Sequence, residues 1–196
     1  MRLALFGGSF DPFHVGHLAM IGAALEQRLA DRVLLVPAGQ NPHKPAVPTA
    51  AEHRLRMAEL GVAGLVGVTV LDWEARRPGP SYTCETVERL AATHPEDELL
   101  VMLGADNLTE FFTWRRPERI LALSRLLVFP RAGTPPDLPP AAAARATVVD
   151  GFAAPVSATE VRAQLAAGRL PRDLVPAAVL DYIVAQRLYR ADRGGG

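Results

Sequence analysis

Residues 7–17 read Gly7-Gly8-Ser9-Phe10-Asp11-Pro12-Phe13-His14-Val15-Gly16-His17 and follow the short apolar run 3–6. That order is a buried strand, a glycine turn and a helix start, and it predicts a helix over 15–29. Glycines at a strand's end let backbone N–H groups come close to a ligand, and the positive end of the next helix dipole points at the same place. The segment is therefore a candidate anion site. His14 and His17 stand three apart, so both rings can face the loop and offer N–H donors to phosphate oxygens. Gly16 between them is expected to keep space for a nucleotide against the helix.

Working outward, apolar runs and helix-period segments alternate. Strands are predicted at 33–36, 66–71, 99–103 and 126–129, with helices at 51–62, 82–93, 158–167 and 176–189 and a short helical region at 117–123. The Pro-punctuated stretch 38–48 reads as a loop, and 130–155, with six Pro and a four-Ala run, reads as loop-rich with one strand near 147–149. Strands alternating with helices imply the α/β class, a doubly wound parallel sheet covered on both faces, with a small helical part at the C-terminal end. Residues 1–196 are expected to form one domain, with 156–190 as its C-terminal helical portion. Ligands in such sheets bind beyond the carboxyl ends of strands, where strand order switches.

Composition narrows the function. Twenty-one basic residues balance 21 acidic ones, and formal charge is zero, so the positive surface of a general nucleic-acid binder is missing. The single cysteine, Cys84, excludes an intrachain disulfide framework and a multi-cysteine zinc site, and is assigned with Trp73 to packing. The longest apolar run falls short of the ~20 residues a membrane helix needs, so a cytoplasmic location is expected. Twenty of the basic residues are Arg and one is Lys, Lys44, inside the 38–48 loop. Nothing near His14 and His17 supplies the partners of a transition-metal site, and no metal ligand is assigned.

A second segment, Val156-Ser157-Ala158-Thr159-Glu160-Val161-Arg162, opens the helix at 158. Ser157 with Glu160 is a capping box. Thr159 and Arg162, three apart on the first turn, can present a hydroxyl and a guanidinium to one phosphate. The chain lacks the GxxxxGK[ST] and GxGxxG patterns of the usual kinases and dehydrogenases.

The 7–17 string resembles the GGSFDPxHxGH signature of the nucleotidyltransferase superfamily, and 156–162 resembles its second signature, ISSTxIR. Four further segments resemble the bacterial nicotinate mononucleotide adenylyltransferases: Asn41-Pro42-His43-Lys44-Pro45 their PPHK loop, Ser81-Tyr82-Thr83 their SYT segment, Gly104-Ala105-Asp106 with Trp114 their GAD and nicotinate-stacking tryptophan, and 179–189 their closing helix. Arg115 stands where relatives often carry an aromatic residue. The resemblance implies a Rossmann-like nucleotidyltransferase fold and transfer of the adenylyl group of ATP to nicotinate mononucleotide, giving deamido-NAD and pyrophosphate. It implies catalytic roles for His14, His17, Lys44 and Arg162. ATP would be bound by Gly7, Gly8, Ser9, Phe10, His14, His17, Asp106, Ser157, Thr159 and Arg162, and the mononucleotide by Lys44, Tyr82, Thr83, Trp114 and Arg115. Mg²⁺ would enter mainly through ATP's phosphates. A phosphopantetheine adenylyltransferase shares both signatures, and a nucleotide-binding module without turnover stays a rival. The oligomeric state is left open.

Overall fold

Alternation along the first strand sets the layers. Leu3 and Leu5 face one side and Ala4 and Phe6 the other, and both pairs are buried. A strand apolar on both faces belongs inside a sheet covered twice. The structure, a computed structural model, describes residues 1–42, 49–130, 138–152 and 154–190.

Among these, β1 (Arg2–Gly8), β2 (Arg32–Pro37), β3 (Val68–Val70), β4 (Glu98–Gly104), β5 (Arg125–Phe129) and β6 (Ala146–Val148) form one sheet in the order β3-β2-β1-β4-β5-β6. Every neighbouring pair is parallel. On one face lie α1 (Val15–Glu26), α2 (Ala51–Gly61), α7 (Ala158–Ala166) and α8 (Ala177–Ala185), through Ile21, Met57, Val161 and Ile183 against Phe6, Val33 and Met102. On the other lie α3 (Thr83–Thr93), α4 (Ala105–Glu110), α5 (Pro117–Leu123) and α6 (Pro140–Ala143), through Leu90, Leu108, Ile120 and Ala142 against Leu5, Val36 and Val101. Each large side chain so buried contributes roughly 1.5–3 kcal/mol.

The doubly wound parallel sheet expected from the sequence is what forms. The chain runs outward from β1 to β3, returns through α3 to β4 on the opposite side of β1, and continues to β6. Strand order therefore switches between β1 and β4, whose carboxyl ends carry Gly7-Gly8 and Gly104. A crevice opens there because neighbouring connections leave in opposite directions.

Some boundaries differ from the sequence reading, each for a local reason. The helix expected to reach residue 29 ends at Glu26, because Arg28 turns left-handed at φ 53° and returns the chain to the sheet. α4 was not foreseen: its cap is Gly104, which has no side chain to signal a start. The Ala run supplies α6 inside the stretch read as loop, and the strand expected at 147–149 forms at Ala146–Val148. The last helix begins after Pro176 and stops at Ala185 rather than 189, and left-handed Arg187 and Tyr189 fold the chain back. Among the described residues no helix is long and apolar enough to cross a membrane.

Candidate active site

A cavity of about 640 Å³ occupies the crevice over β1 and β4. Its walls are the glycine turn 7–9, the start of α1 with His14 and His17, the β4 end with Gly104 and Asp106, the β5 end with Phe129, and the start of α7 with Ser157, Thr159 and Arg162. Two helix N-termini from opposite ends of the sequence thus meet one space. Each directs a positive dipole end at it, a setting for a chain of phosphates held from two sides.

The two histidines are not equivalent. His14 caps α1, and its backbone N–H donates to His17 Nδ1 at 3.1 Å. While that bond holds, Nδ1 is the acceptor and the neutral His17 ring carries its proton on Nε2. The rings stack with centroids 3.6 Å apart, and His17 also packs edge-on to Phe10 at 4.9 Å. Phe10 is 2% exposed, left-handed at φ 48°, and its ring lies where a Cβ on Gly8 would come within 3.1 Å. Gly8 is glycine to admit Phe10, and Phe10 in turn sets His17. A Cβ on Gly16 would meet the His14 ring at 3.0 Å, so Gly16 makes room for the His14 side chain.

His14 is 7% exposed, and its Nδ1 has no partner among the described residues. Burial pushes its pKa down to about 4. The unfolded ring takes a proton below its ordinary 6.5 and the folded one only near 4. Between those values the unfolded chain holds more protons, so stability falls as pH falls, by up to about 3 kcal/mol over the full window. Melting temperatures between pH 7.5 and 4.5 should show this, and His14→Asn should flatten the profile. An equally steep variant profile would place the acid sensitivity elsewhere.

At the second helix start, Ser157 Oγ accepts the Glu160 N–H at 3.2 Å, the forward half of the expected capping box. Arg162 is held on two sides, with Nη1 on the Asp11 carbonyl at 2.7 Å and Nη2 on Thr159 Oγ1 at 3.3 Å. The guanidinium therefore ties the start of α7 to the turn that leads into α1.

A smaller cavity, about 110 Å³, adjoins the first and shares Gly7, Gly8, Ser9 and Asn107 with it. Tyr82, Thr83, Trp114 and Arg115 line it with Asn41, Glu74 and Ser81. Arg115 lies 4.6 Å over the Tyr82 ring and pairs with Glu85 at 3.3 Å, and Glu85 also pairs with Arg77 at 2.8 Å. Two guanidiniums share the Glu85 carboxylate beside this cavity, and Glu110 joins Glu74 in its lining. Ser81 does not cap α3, as a helix-start serine can; its Oγ accepts the Gly39 N–H at 3.0 Å. Glu74 is buried and accepts from the Thr86 hydroxyl, and burial raises its pKa.

The structure places all ten residues assigned to ATP around the larger cavity, and Tyr82, Thr83, Trp114 and Arg115 around the smaller. Lys44 lies outside the described residues. Sequence reasoning passed over Asn41 as a contact of Ser9 (Nδ2 to Oγ, 3.2 Å), Glu74, and the buried group Arg54, Asp11 and Tyr189. Asn41, Asp11 and Tyr189 lie inside segments quoted above, whereas Glu74 and Arg54 lie in none. Cys84 and Trp73 pack as expected, Cys84 fully buried and Trp73 beneath Arg89 at 3.7 Å. Among the described residues no group of three or more His, Cys, Asp or Glu is placed to hold a metal ion.

Residues 5–164 match the family described as cytidylyltransferase-like. The chain is 41% identical to a protein of Chlorobium luteolum named "Probable nicotinate-nucleotide adenylyltransferase", over 97% of this chain and 99% of that one. A Thermus thermophilus protein of the same name is 43% identical over 97% and 100%. Among solved structures, Plasmodium falciparum nicotinic acid mononucleotide adenylyltransferase complexed with NaAD superposes with a TM-score of 0.79, covering 96% of this chain and 97% of that one. At 17% identity that likeness speaks for the fold. With relatives this similar over nearly their whole length, the chain belongs to the nicotinate-nucleotide adenylyltransferases, within the cytidylyltransferase-like nucleotidyltransferases.

Proposed function

We propose that the chain transfers the adenylyl group of ATP to nicotinate mononucleotide, yielding deamido-NAD and pyrophosphate as a step of NAD biosynthesis. The observation that carries this reading is the pair of adjoining cavities sharing the Gly7–Ser9 turn, one ringed by two helix N-termini and the other by Trp114, Tyr82 and Arg115. A phosphate oxygen of the mononucleotide attacks the α-phosphorus, the bond to the bridging oxygen breaks, and pyrophosphate leaves. The attacking phosphate is already an anion, so neither a general base nor a covalent enzyme intermediate is required. What the protein supplies is in-line placement and neutralisation of growing negative charge.

In this reading His17 donates to the α-phosphate region and His14 to the neighbouring phosphates. Thr159 and Arg162, at the helix capped by Ser157, hold the β and γ phosphates, while Gly7, Gly8 and Ser9 give backbone approach above Phe10. Asp106 serves the adenosine ribose or the waters of a cation. Lys44 neutralises phosphate charge from the 38–48 loop, and Tyr82, Thr83, Trp114 and Arg115 hold the pyridine ring. Residues 1–196 act as one catalytic unit, to which 156–190 contributes the second phosphate grip. The carboxylates lining the larger cavity, Asp11 and Asp106, do not make a cage, so the donor set suits a divalent cation carried in on the triphosphate. When bound, Mg²⁺ would add neutralising charge on the phosphates. The reading places the enzyme in the cytoplasm, acting on small molecules rather than nucleic acid.

Pyrophosphate release with ATP and each candidate acceptor tests the reading. Nicotinate mononucleotide should turn over, whereas phosphopantetheine should not; turnover of phosphopantetheine, or ATP binding without release, overturns it. Arg115 gives a second test. Nicotinate carries one more negative charge than nicotinamide, and the Arg115 guanidinium over Tyr82 favours the acid. For a half-exposed pair that preference is modest, so Arg115→Ala should lower the acid-to-amide ratio of kcat/KM by about threefold to fivefold. An unchanged ratio would assign selectivity to backbone N–H groups instead.

A further inference from the structure

Arg54 is the largest fully buried side chain of the fold among the described residues, 2% exposed on the core face of α2 next to Met57 and Ala58. A guanidinium there is costly unless every donor is matched and the charge is balanced. Each of its three nitrogens donates to a main-chain carbonyl: Nη1 to Ser9 at 2.8 Å, Nη2 to Gly39 at 2.6 Å, and Nε to Thr49 at 3.0 Å. Ser9 belongs to the turn that walls both cavities, and Gly39 and Thr49 stand on either side of the loop that bears Lys44. Burial pushes the Arg54 pKa down, and the Asp11 carboxylate, 4% exposed, acts against this by favouring the charged guanidinium. One Asp11 oxygen accepts the Tyr189 hydroxyl, and the Asp11 carbonyl accepts from Arg162. The cluster thus touches the backbone of the glycine turn directly and reaches the start of α7 through the Arg162 side chain.

We propose that Arg54 is a positioning residue for adenylyl transfer, bracing the glycine turn against both ends of the 39–49 stretch, with Asp11 as its buried counter-charge and Tyr189 as the latch on Asp11. This rests on the transfer reading above. A planar fork can hold three carbonyls from three segments in one plane, which an ammonium cannot. Apolar packing would stabilise this position at least as well, so what the buried charge supplies is placement of the turn whose N–H groups face the reacting phosphates. Misplacement of about 1 Å there costs on the order of 10²-fold in rate.

The test measures kcat and KM for both substrates on Arg54→Lys and Tyr189→Phe beside wild type, below each melting temperature and normalised to the folded fraction by circular dichroism. Arg54→Lys should lower kcat ~10-fold to 100-fold with KM for ATP within about threefold. Tyr189→Phe should lower kcat about threefold to tenfold, and it carries the test alone should Arg54→Lys not fold. Lower melting temperatures with unchanged kcat in the folded variants would make the cluster merely structural and overturn the proposal. A silent wild type overturns the transfer reading and this inference with it, whereas an active wild type with unaltered variants overturns the brace alone.

Discussion

Replacing His17 with Ala should lower kcat by ~10²–10³-fold while the protein stays folded, the size of effect seen when one preorganised donor to a developing charge is removed. The expectation comes from how the ring is held. His14 N–H fixes Nδ1 as acceptor, Phe10 and Phe13 stand at 4.9 and 5.2 Å, and the His14 ring closes the remaining side at 3.6 Å. A donor so restrained needs no reorganisation when charge builds on the α-phosphate. KM for ATP should change far less than kcat, because the triphosphate keeps Arg162, Thr159 and both helix N-termini. His17→Asn, which keeps an amide donor, should fall between wild type and Ala. Single-turnover kinetics with saturating ATP separate the chemical step from product release. A folded His17→Ala enzyme with near-normal kcat would remove His17 from the reaction.

The parts of this site that were legible in the sequence are those where a local segment makes both the element and the contact. Gly7-Gly8 and the two histidines lie within eleven residues, and Ser157, Thr159 and Arg162 lie within six at one helix start. Their placement around one cavity then follows from a parallel sheet that brings β1 and α7 to the same edge. Arg54 was illegible because its partners are carbonyls 5, 15 and 45 residues away. On its own helix it reads as one more charged residue among Glu52, Arg56 and Glu59. Tyr189 was assigned to the closing helix by its pattern, whereas left-handed turns at Arg187 and Tyr189, neither a glycine, bring it to Asp11. Gly16 was read as space for ligand, but the atom that a Cβ would strike belongs to His14. In each case side-chain packing across the chain overrode what the local pattern could express.

Gly7→Val should abolish measurable turnover, lowering kcat/KM for both substrates by ~10³-fold or more, with the fold intact. Gly7 is a strand residue paired with Val36 in β1, its φ is not positive, and a Cβ there meets nothing within 4 Å. The backbone thus accepts an L residue, and valine suits a strand better than glycine does. Space alone is at issue, because Gly7 walls both cavities at their shared boundary. Transfer requires the attacking oxygen and the α-phosphorus to approach to ~3–3.5 Å in line, and a branched side chain at that boundary separates them. Gly7→Ala, adding one methyl, should lose less. Gly8→Val would be a poorer probe, since its Cβ meets the Phe10 ring at 3.1 Å and would disturb His17 as well. Melting temperature and circular dichroism should match wild type while pyrophosphate release is lost. Normal release from Gly7→Val would mean that the two substrates do not meet over the end of β1, and the assignment of the adjoining cavities to donor and acceptor would fail with it.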